Sequence, residues 1–411
     1  MQKFGLIGKT LKHSYSKTIH SLLGSYSYDL VELEEGKVKD FVLSKEYQGY
    51  NITIPYKQTV IPYLDEVDKS ALDIGAVNTV VNKNGKLIGY NTDIFGMKYA
   101  LDRANITLKD KVVLILGSGG TCKTATALAK REKAKEIIVL SRDGKVNYQN
   151  CYEQKGVQII INATPVGMYP NNYECKIDLT KFSNLEGVFD AIYNPNLTYL
   201  TYTAKQLGVK YSNGLPMLVA QAKVAMQLFF DKQTNDEIIQ TVMQKLKKDT
   251  LNIVLIGMSG SGKSSVGKML AKQLDREFID TDKVIEEREN RDIPTIFKDS
   301  GEAYFRQVEK AVLKEQGKLT GKVIATGGGV IKDRENYFSL KQNGVIIYLK
   351  RDIEKLDRKG RPLSTDLDAV KKLFEERKEL YQNFADITVD NNGQIQNTVK
   401  EILDKYESFS D

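Results

Sequence analysis

Asn252-Ile-Val-Leu-Ile256-Gly257-Met-Ser-Gly-Ser-Gly262-Lys263-Ser264 is a run of four apolar residues behind Asn252 that breaks into a glycine-rich loop and then into a helical pattern at 263–274. An uninterrupted apolar run of that length reads as a strand buried on both faces. The loop fits G-x-x-x-x-G-K-[ST] in the strand-to-helix setting that a phosphate loop needs. Its glycines let backbone N–H groups converge on phosphate oxygens at a helix N-terminus. The expected ATP contacts are Ser259, Gly260, Ser261, Gly262, Lys263, Ser264 and Ser265. Lys263 is expected to act on the outer phosphates during transfer, and the Ser264 hydroxyl to ligate Mg²⁺.

The same rhythm recurs on both sides of this stretch. FGLIG (4–8), YNITIP (50–55), KVVLILGSGG (111–120), EIIVLS (136–141), VQIIIN (157–162), KVIATGGG (322–329) and VIIYLK (345–350) each read as a buried parallel strand ending at a ligand face. Helical patterns lie between them, at 121–131, 214–230 and 369–381. Strand alternating with helix predicts α/β architecture throughout. The polar, helix-forming stretch 231–250 marks the main boundary, with a short linker at about 247–250, and a further division falls near 101–110.

At 411 residues, the chain needs more than one core. With 60 Lys and Arg against 53 Asp and Glu, the net charge of +7 is spread rather than blocked, which suits anionic small ligands and argues against a nucleic-acid groove. No segment approaches the apolar length of a membrane helix, and the N-terminus lacks the pattern of a secretory signal. Cys122, Cys151 and Cys175 have no framework spacing, so a reducing, cytoplasmic setting is expected. His13 and His20 are too few for a zinc cluster.

A phosphate loop does not name the group that receives the phosphate. Further motifs follow it in order: Asp280-Thr-Asp282 after an apolar run, Phe305-Arg306, Thr326-Gly-Gly328-Gly, Arg361-Pro-Leu and Arg377-Lys-Glu-Leu-Tyr381. Strand periodicity places the two aspartates on one side of a strand end, one for the Mg²⁺ shell and one for the proton of an attacking hydroxyl. In this order the motifs resemble shikimate kinase over 251–395. The resemblance implies that Asp282 is the base and binds ring hydroxyls, that Arg306 and Arg377 clamp a carboxylate, and that Gly328 contacts the ring. It also implies that Arg361 belongs to a lid over ATP and that Asp280 with Ser264 holds Mg²⁺.

In the first part of the chain, Gly117-Ser118-Gly119-Gly120-Thr121-Cys122 follows a strand and opens a helix, as a dinucleotide loop does. Where NAD sites carry an acid for the ribose, this chain has Ser141-Arg142-Asp143; Arg142 suits a 2′-phosphate and Asp143 opposes it. Polar clusters also stand at strand and turn ends: Ser14-Tyr-Ser16, Asn51-Ile-Thr53-Ile-Pro-Tyr-Lys57, Asn78-Thr, Asn91-Thr-Asp93, Asn162-Ala-Thr, Tyr193-Asn-Pro and Gly214 to Gln221. Singly they read equally as turn residues and caps. As a set they resemble shikimate dehydrogenase over 1–245.

That resemblance implies substrate contacts from Ser14, Ser16, Thr53, Asn78, Asp93, Tyr193 and Gln221, with Lys57 as the acid/base and Asp93 orienting it. It implies NADPH contacts from Gly117, Ser118, Gly119, Gly120, Thr121, Arg142 and Gly214. Lys17 stands where the family has proline, and Asp143 where it has a small hydroxyl residue. The fold expected is a substrate-binding α/β domain at 1–104 completed by a helix near 215–245, a Rossmann domain at 105–248, and a P-loop domain at 251–411 of the nucleoside monophosphate kinase kind. The function implied is bifunctional: reduction of 3-dehydroshikimate to shikimate by NADPH, then phosphorylation of its 3-hydroxyl by ATP with Mg²⁺. Two alternatives stay open, a quinate/shikimate dehydrogenase using NAD and a regulator that has lost its chemistry, as does the choice between monomer and homodimer.

Overall fold

The computed structural model describes residues 2–12, 14–357 and 367–410. The chain forms two compact units, one of 1–194 with 198–243 and the other of 195–197 with 244–411.

The first unit holds two sheets. Strands β1 (Phe4–Gly8), β2 (Tyr28–Glu32), β3 (Gly49–Ile52), β4 (Glu66–Val67), β5 (Thr79–Lys83) and β6 (Lys86–Tyr90) make the first, in the order β2-β1-β3-β5-β6-β4. β1 runs parallel to β2 and β3, but β5 is antiparallel to both β3 and β6. The sheet is therefore mixed, its parallel part carrying the runs 4–8 and 49–52. The cause is Asn84-Gly85, both at positive φ, a pair suited to the tight hairpin turn that joins β5 to β6. Helices α1 (Ser16–Leu23), α2 (Val38–Ser44), α3 (Lys69–Ile74) and α4 (Asp93–Arg103) accompany this sheet.

The second sheet is parallel throughout. It contains β7 (Val112–Leu116), β8 (Glu136–Leu140), β9 (Ile159–Asn162), β10 (Gly187–Asp190) and β11 (Lys210–Ser212) in the order β11-β10-β9-β7-β8. Because side chains alternate along a strand, Val113, Ile115, Ile159 and Ile161 pack on one face with α4 and α5 (Gly120–Arg131), while Leu114, Leu116 and Ile160 pack on the other with α6 (Tyr199–Gln206). Each such aliphatic side chain contributes roughly 1.5–3 kcal/mol relative to exposure. The strand order reverses at β7, and the crevice at its carboxyl end is where ligands bind in open sheets of this kind. α7 (Leu215–Phe230) returns the chain to the first sheet, where Ala225 and Phe229 pack beside Phe4, Leu6 and Val81.

α8 (Glu237–Thr250) runs into the second unit, so the stretch 247–250, expected as a linker, is its last turn. A third parallel sheet follows: β12 (Asn252–Ile256), β13 (Phe278–Asp280), β14 (Val323–Ala325), β15 (Gly344–Lys350) and β16 (Ile387–Asp390), ordered β13-β14-β12-β15-β16. α9 (Lys263–Leu274) and α14 (Ile395–Ser410) cover one face. α12 (Arg334–Lys341) and α13 (Leu367–Phe384) cover the other, and α10 (Thr281–Glu289) and α11 (Ile293–Gln316) complete the unit. Within α11, Gly301 at φ +81° breaks the helix in two.

Candidate active sites

In the first unit, the polar residues at the ends of the apolar runs converge. Lys57 follows β3 and donates from Nζ to Asp93 Oδ2 at 2.6 Å, with side chains only 13% and 7% exposed. Asp93 opens α4. Asn78 Nδ2 donates to Asp93 Oδ1 at 2.9 Å and lies 3.2 Å from Gln221 Oε1 on α7, while Asn78 Oδ1 accepts from the Thr92 backbone N–H at 2.7 Å. Each buried polar group in this network is satisfied by another, which fixes the lysine in one orientation.

Ser14, Ser16 and Tyr193 form a second cluster. Ser14 Oγ donates to Ser16 Oγ at 3.1 Å, and the Tyr15 and Tyr193 rings are 5.1 Å apart. Burial raises the Tyr193 pKa, against a hydrogen bond with the Ser14 side chain. Thr53 closes β3, its methyl group 2.6 Å from where a Cβ on Gly8 would stand, so that only glycine fits there.

Lys57 also lines a cleft of about 450 Å³ at the carboxyl end of β7, within the range of small-ligand and cofactor sites. Gly117, Ser118, Gly119, Gly120, Thr121 and Arg142 line it as well. Gly117 adopts φ +125°, and a Cβ there would stand 3.0 Å from the Ala163 carbonyl. Asp143 is not among the lining residues. Gly214 is outside the lining, and a Cβ on it would stand 2.1 Å from the Ala191 carbonyl, so only glycine fits at the α7 N-terminus. Sequence reasoning missed the polar lining residues Gln58, Tyr148 and Lys176. None carries a motif signal, but Gln58 adjoins Lys57.

In the second unit the phosphate loop joins β12 to α9. Lys263 is buried and donates to the carbonyls of Gly257 and Met258 at 2.8 and 2.9 Å. Ser264 Oγ donates to Asp280 Oδ2 at 2.7 Å, bringing together the hydroxyl and carboxylate expected at Mg²⁺. The two aspartates do not share a strand face. Asp280 is the N-cap of α10, accepting from the Asp282 N–H at 3.2 Å, so Asp282 stands on the first helical turn. An aspartate ahead of a helix finds a better partner in the free N–H groups than in continued pleating.

Asp282 meets the glycine run after β14, where a Cβ on Gly327 would stand 2.8 Å from both Asp282 Oδ1 and Glu309 Oε1. Arg306 Nη1 donates to Glu309 Oε2 at 2.7 Å, and its Nε and Nη2 donate to Glu302 Oε1. Arg377 Nη1 donates to the Gly328 carbonyl at 3.2 Å, which also accepts from the Tyr381 hydroxyl. Burial raises the Glu309 pKa, with Arg306 pulling the other way. Glu309 and Glu302 were not foreseen; their spacings of three and four residues from Arg306 on one helix are the signal that could have found them. Ser259 Oγ is 2.7 Å from where a Cβ on Gly328 would be, so the phosphate loop and the glycine run adjoin. Arg361 lies outside the described residues.

Known proteins match both parts of the chain. The shikimate dehydrogenase substrate binding domain model matches residues 6–80, and the shikimate kinase model matches 259–407. A shikimate dehydrogenase (NADP(+)) of Clostridium beijerinckii is 35% identical over 260 residues, which cover 58% of this chain and 96% of that protein. Among solved structures, shikimate dehydrogenase 1 of Peptoclostridium difficile superposes with a TM-score of 0.56 at 34% identity, covering 60% of this chain and 98% of that one. A chorismate mutase/shikimate 5-dehydrogenase fusion protein of Clostridium acetobutylicum gives 0.57 at 34% identity, covering 60% and 97%.

Proposed function

Because the chain belongs to the shikimate dehydrogenase family and carries a shikimate kinase domain behind it, we propose that it works in the biosynthetic direction, reducing 3-dehydroshikimate with NADPH and then phosphorylating the shikimate formed. The chain is a bifunctional shikimate-pathway enzyme; direction and residue roles are the content of the proposal. The observation that carries it is the Lys57–Asp93–Asn78–Gln221 network beside the dinucleotide cleft, with Lys57 common to both.

NADPH fits the cleft by its volume, by the close backbone approach at Gly117 and by Arg142 in its lining. When bound, it supplies the hydride. Negative charge then grows on the reduced oxygen, and Lys57 Nζ, held by Asp93, stabilises that charge and gives up a proton. Ser14, Ser16, Thr53, Asn78, Tyr193 and Gln221 hold the substrate's hydroxyls and carboxylate.

In the kinase, Arg306 and Arg377 bind the carboxylate, a match of guanidinium fork to planar anion. Asp282 takes the proton of the attacking hydroxyl. Lys263 follows the phosphates of ATP, and the phosphate-loop N–H groups hold them. The Ser264 hydroxyl beside the Asp280 carboxylate suits Mg²⁺, which is held by one or two protein oxygens with phosphates and waters; it neutralises phosphate charge when bound. Three free cysteines agree with a reducing, cytoplasmic setting, and among the described residues no helix is long and apolar enough to cross a membrane.

The test is to follow NADPH oxidation on adding 3-dehydroshikimate and ADP release on adding shikimate. The proposal requires both signals. Oxidation of quinate with NAD⁺ at a rate equal to that of shikimate would instead favour the catabolic alternative.

A further inference from the structure

Arg351 follows β15 directly, on the loop side of the third sheet. Two carboxylates are its neighbours in space or sequence, and it pairs with neither. Asn392 Nδ2 occupies both, donating to Asp352 Oδ1 at 3.0 Å and Asp390 Oδ2 at 2.8 Å. The Arg351 Nε is buried and, among the described residues, has no hydrogen-bond partner. A partly buried guanidinium without an anion is costly, since charge removed from water needs compensation.

The direction of the side chain explains the cost. Its Nη1 is 3.4 Å from where a Cβ on Gly262 would stand, beside the loop residue that precedes Lys263. Asn391 Nδ2 is 2.7 Å from the same point and donates to the Ser261 carbonyl at 2.7 Å, so a neighbouring side chain already braces this part of the loop. Arg351 adds no such brace. It presents a planar set of donors to the place where the loop gathers phosphate, and guanidinium is the side chain best matched to that anion.

We propose that Arg351 is a ligand of the nucleotide phosphates, a second cation beside Lys263. The proposal rests on the phosphate-loop reading of 257–264 and on no assumption about the acceptor. An Arg351 Nε with no partner among the described residues lowers stability, and the bound phosphate supplies an anion beside it.

Titration of the full chain with MgADP, and separately with adenosine, tests this in wild type, Arg351→Met and Arg351→Lys. Arg351→Met should weaken MgADP at least about tenfold, the loss of one charge-assisted contact. Adenosine binding should not change, Arg351→Lys should fall between, and the unfolding midpoint of nucleotide-free Arg351→Met should equal or exceed that of wild type. MgADP affinity within about twofold of wild type would overturn the proposal. So would parallel losses for MgADP and adenosine, which indicate a contact with the base, or a lowered midpoint with unchanged affinity, which indicates a brace. Failure of the underlying reading looks different: wild type itself would then bind no MgADP.

Discussion

Lys57 and Asp93 form a nearly buried ion pair 2.6 Å long, yet the lysine also lines the cofactor cleft, and this double position makes it the residue to remove first. Lys57→Ala should lower dehydrogenase kcat at least about a hundredfold with little change in KM, because the lost group acts on charge that develops during reaction. Kinase turnover in the same variant should equal wild type. Arg142→Ala should raise the KM for NADPH about tenfold or more and leave that for NADH in place, since only NADPH carries the 2′-phosphate; equal effects would assign Arg142 a structural part. Asp190 offers a different check. It is fully buried at the end of β10, and burial pushes its carboxyl up to about 7, against hydrogen bonds from Thr198, the Ile192 N–H and Asn162. A carboxyl whose folded pKa is raised stabilises the fold below its ordinary value of 3.8, and that contribution is lost as pH rises through about 7. Between pH 5 and 8 the midpoint of the first unit should therefore fall with pH more steeply in wild type than in Asp190→Asn; parallel curves would contradict the assignment. Lys57, Asp93, Asn78 and Gln221 were legible only as members of an ordered set that resembles the family, because a polar group ending an apolar run taken singly reads equally as a turn residue or cap. Nothing in Val188-Phe-Asp190-Ala distinguishes a buried carboxyl from a turn aspartate, because burial is decided by β9 and α6 packing around it.

Elements were readable where pattern and punctuation agree and were misread where a cap or turn competes with periodicity. The helix after the phosphate loop matches its expected bounds at Lys263–Leu274, since the apolar stripe and the loop glycines point the same way. Asp280-Thr281-Asp282 reads as strand by its preceding residues, but Asp280 capping turns the chain into α10 one residue later. Asn84-Gly85 carries a hairpin signal of its own, since both residues take positive φ, but it joins β5 to β6 at the ends remote from Asn78 and Asp93. Gly214 makes an element-scale prediction, since a Cβ on it would stand 2.1 Å from the Ala191 carbonyl. Gly214→Ala should destabilise the first unit by about 1–3 kcal/mol, the usual scale of overpacking, while the KM for NADPH in the folded fraction stays near wild type. A normal midpoint with weakened NADPH would return Gly214 to the cofactor.

At the scale of the molecule, α8 belongs to the first unit up to Met243 and to the second from Gln244, so a cut through it is not neutral. The Lys248 carbonyl accepts from the Tyr406 hydroxyl at 3.0 Å and from Arg276 Nη2, tying the end of α8 to α14 and to the turn after α9. A kinase fragment beginning at Leu251 loses that acceptor, and it should be less stable by about 1–3 kcal/mol than one beginning at Gln244, as read by denaturant unfolding. Equal stabilities would show that α8 contributes nothing to the second unit. The first unit has two sheets and the second has one, each unit with its own core and its own polar site, so the two reactions should be linked only by the shikimate that passes from one to the other. The direct test is to give the whole protein 3-dehydroshikimate, NADPH, ATP and Mg²⁺ and to follow shikimate 3-phosphate by phosphorus NMR, in wild type and in Lys57→Ala. Wild type should form shikimate 3-phosphate from 3-dehydroshikimate, whereas Lys57→Ala should form it only when shikimate itself is supplied. No product from wild type, or product from 3-dehydroshikimate in Lys57→Ala at the wild-type rate, would contradict the account.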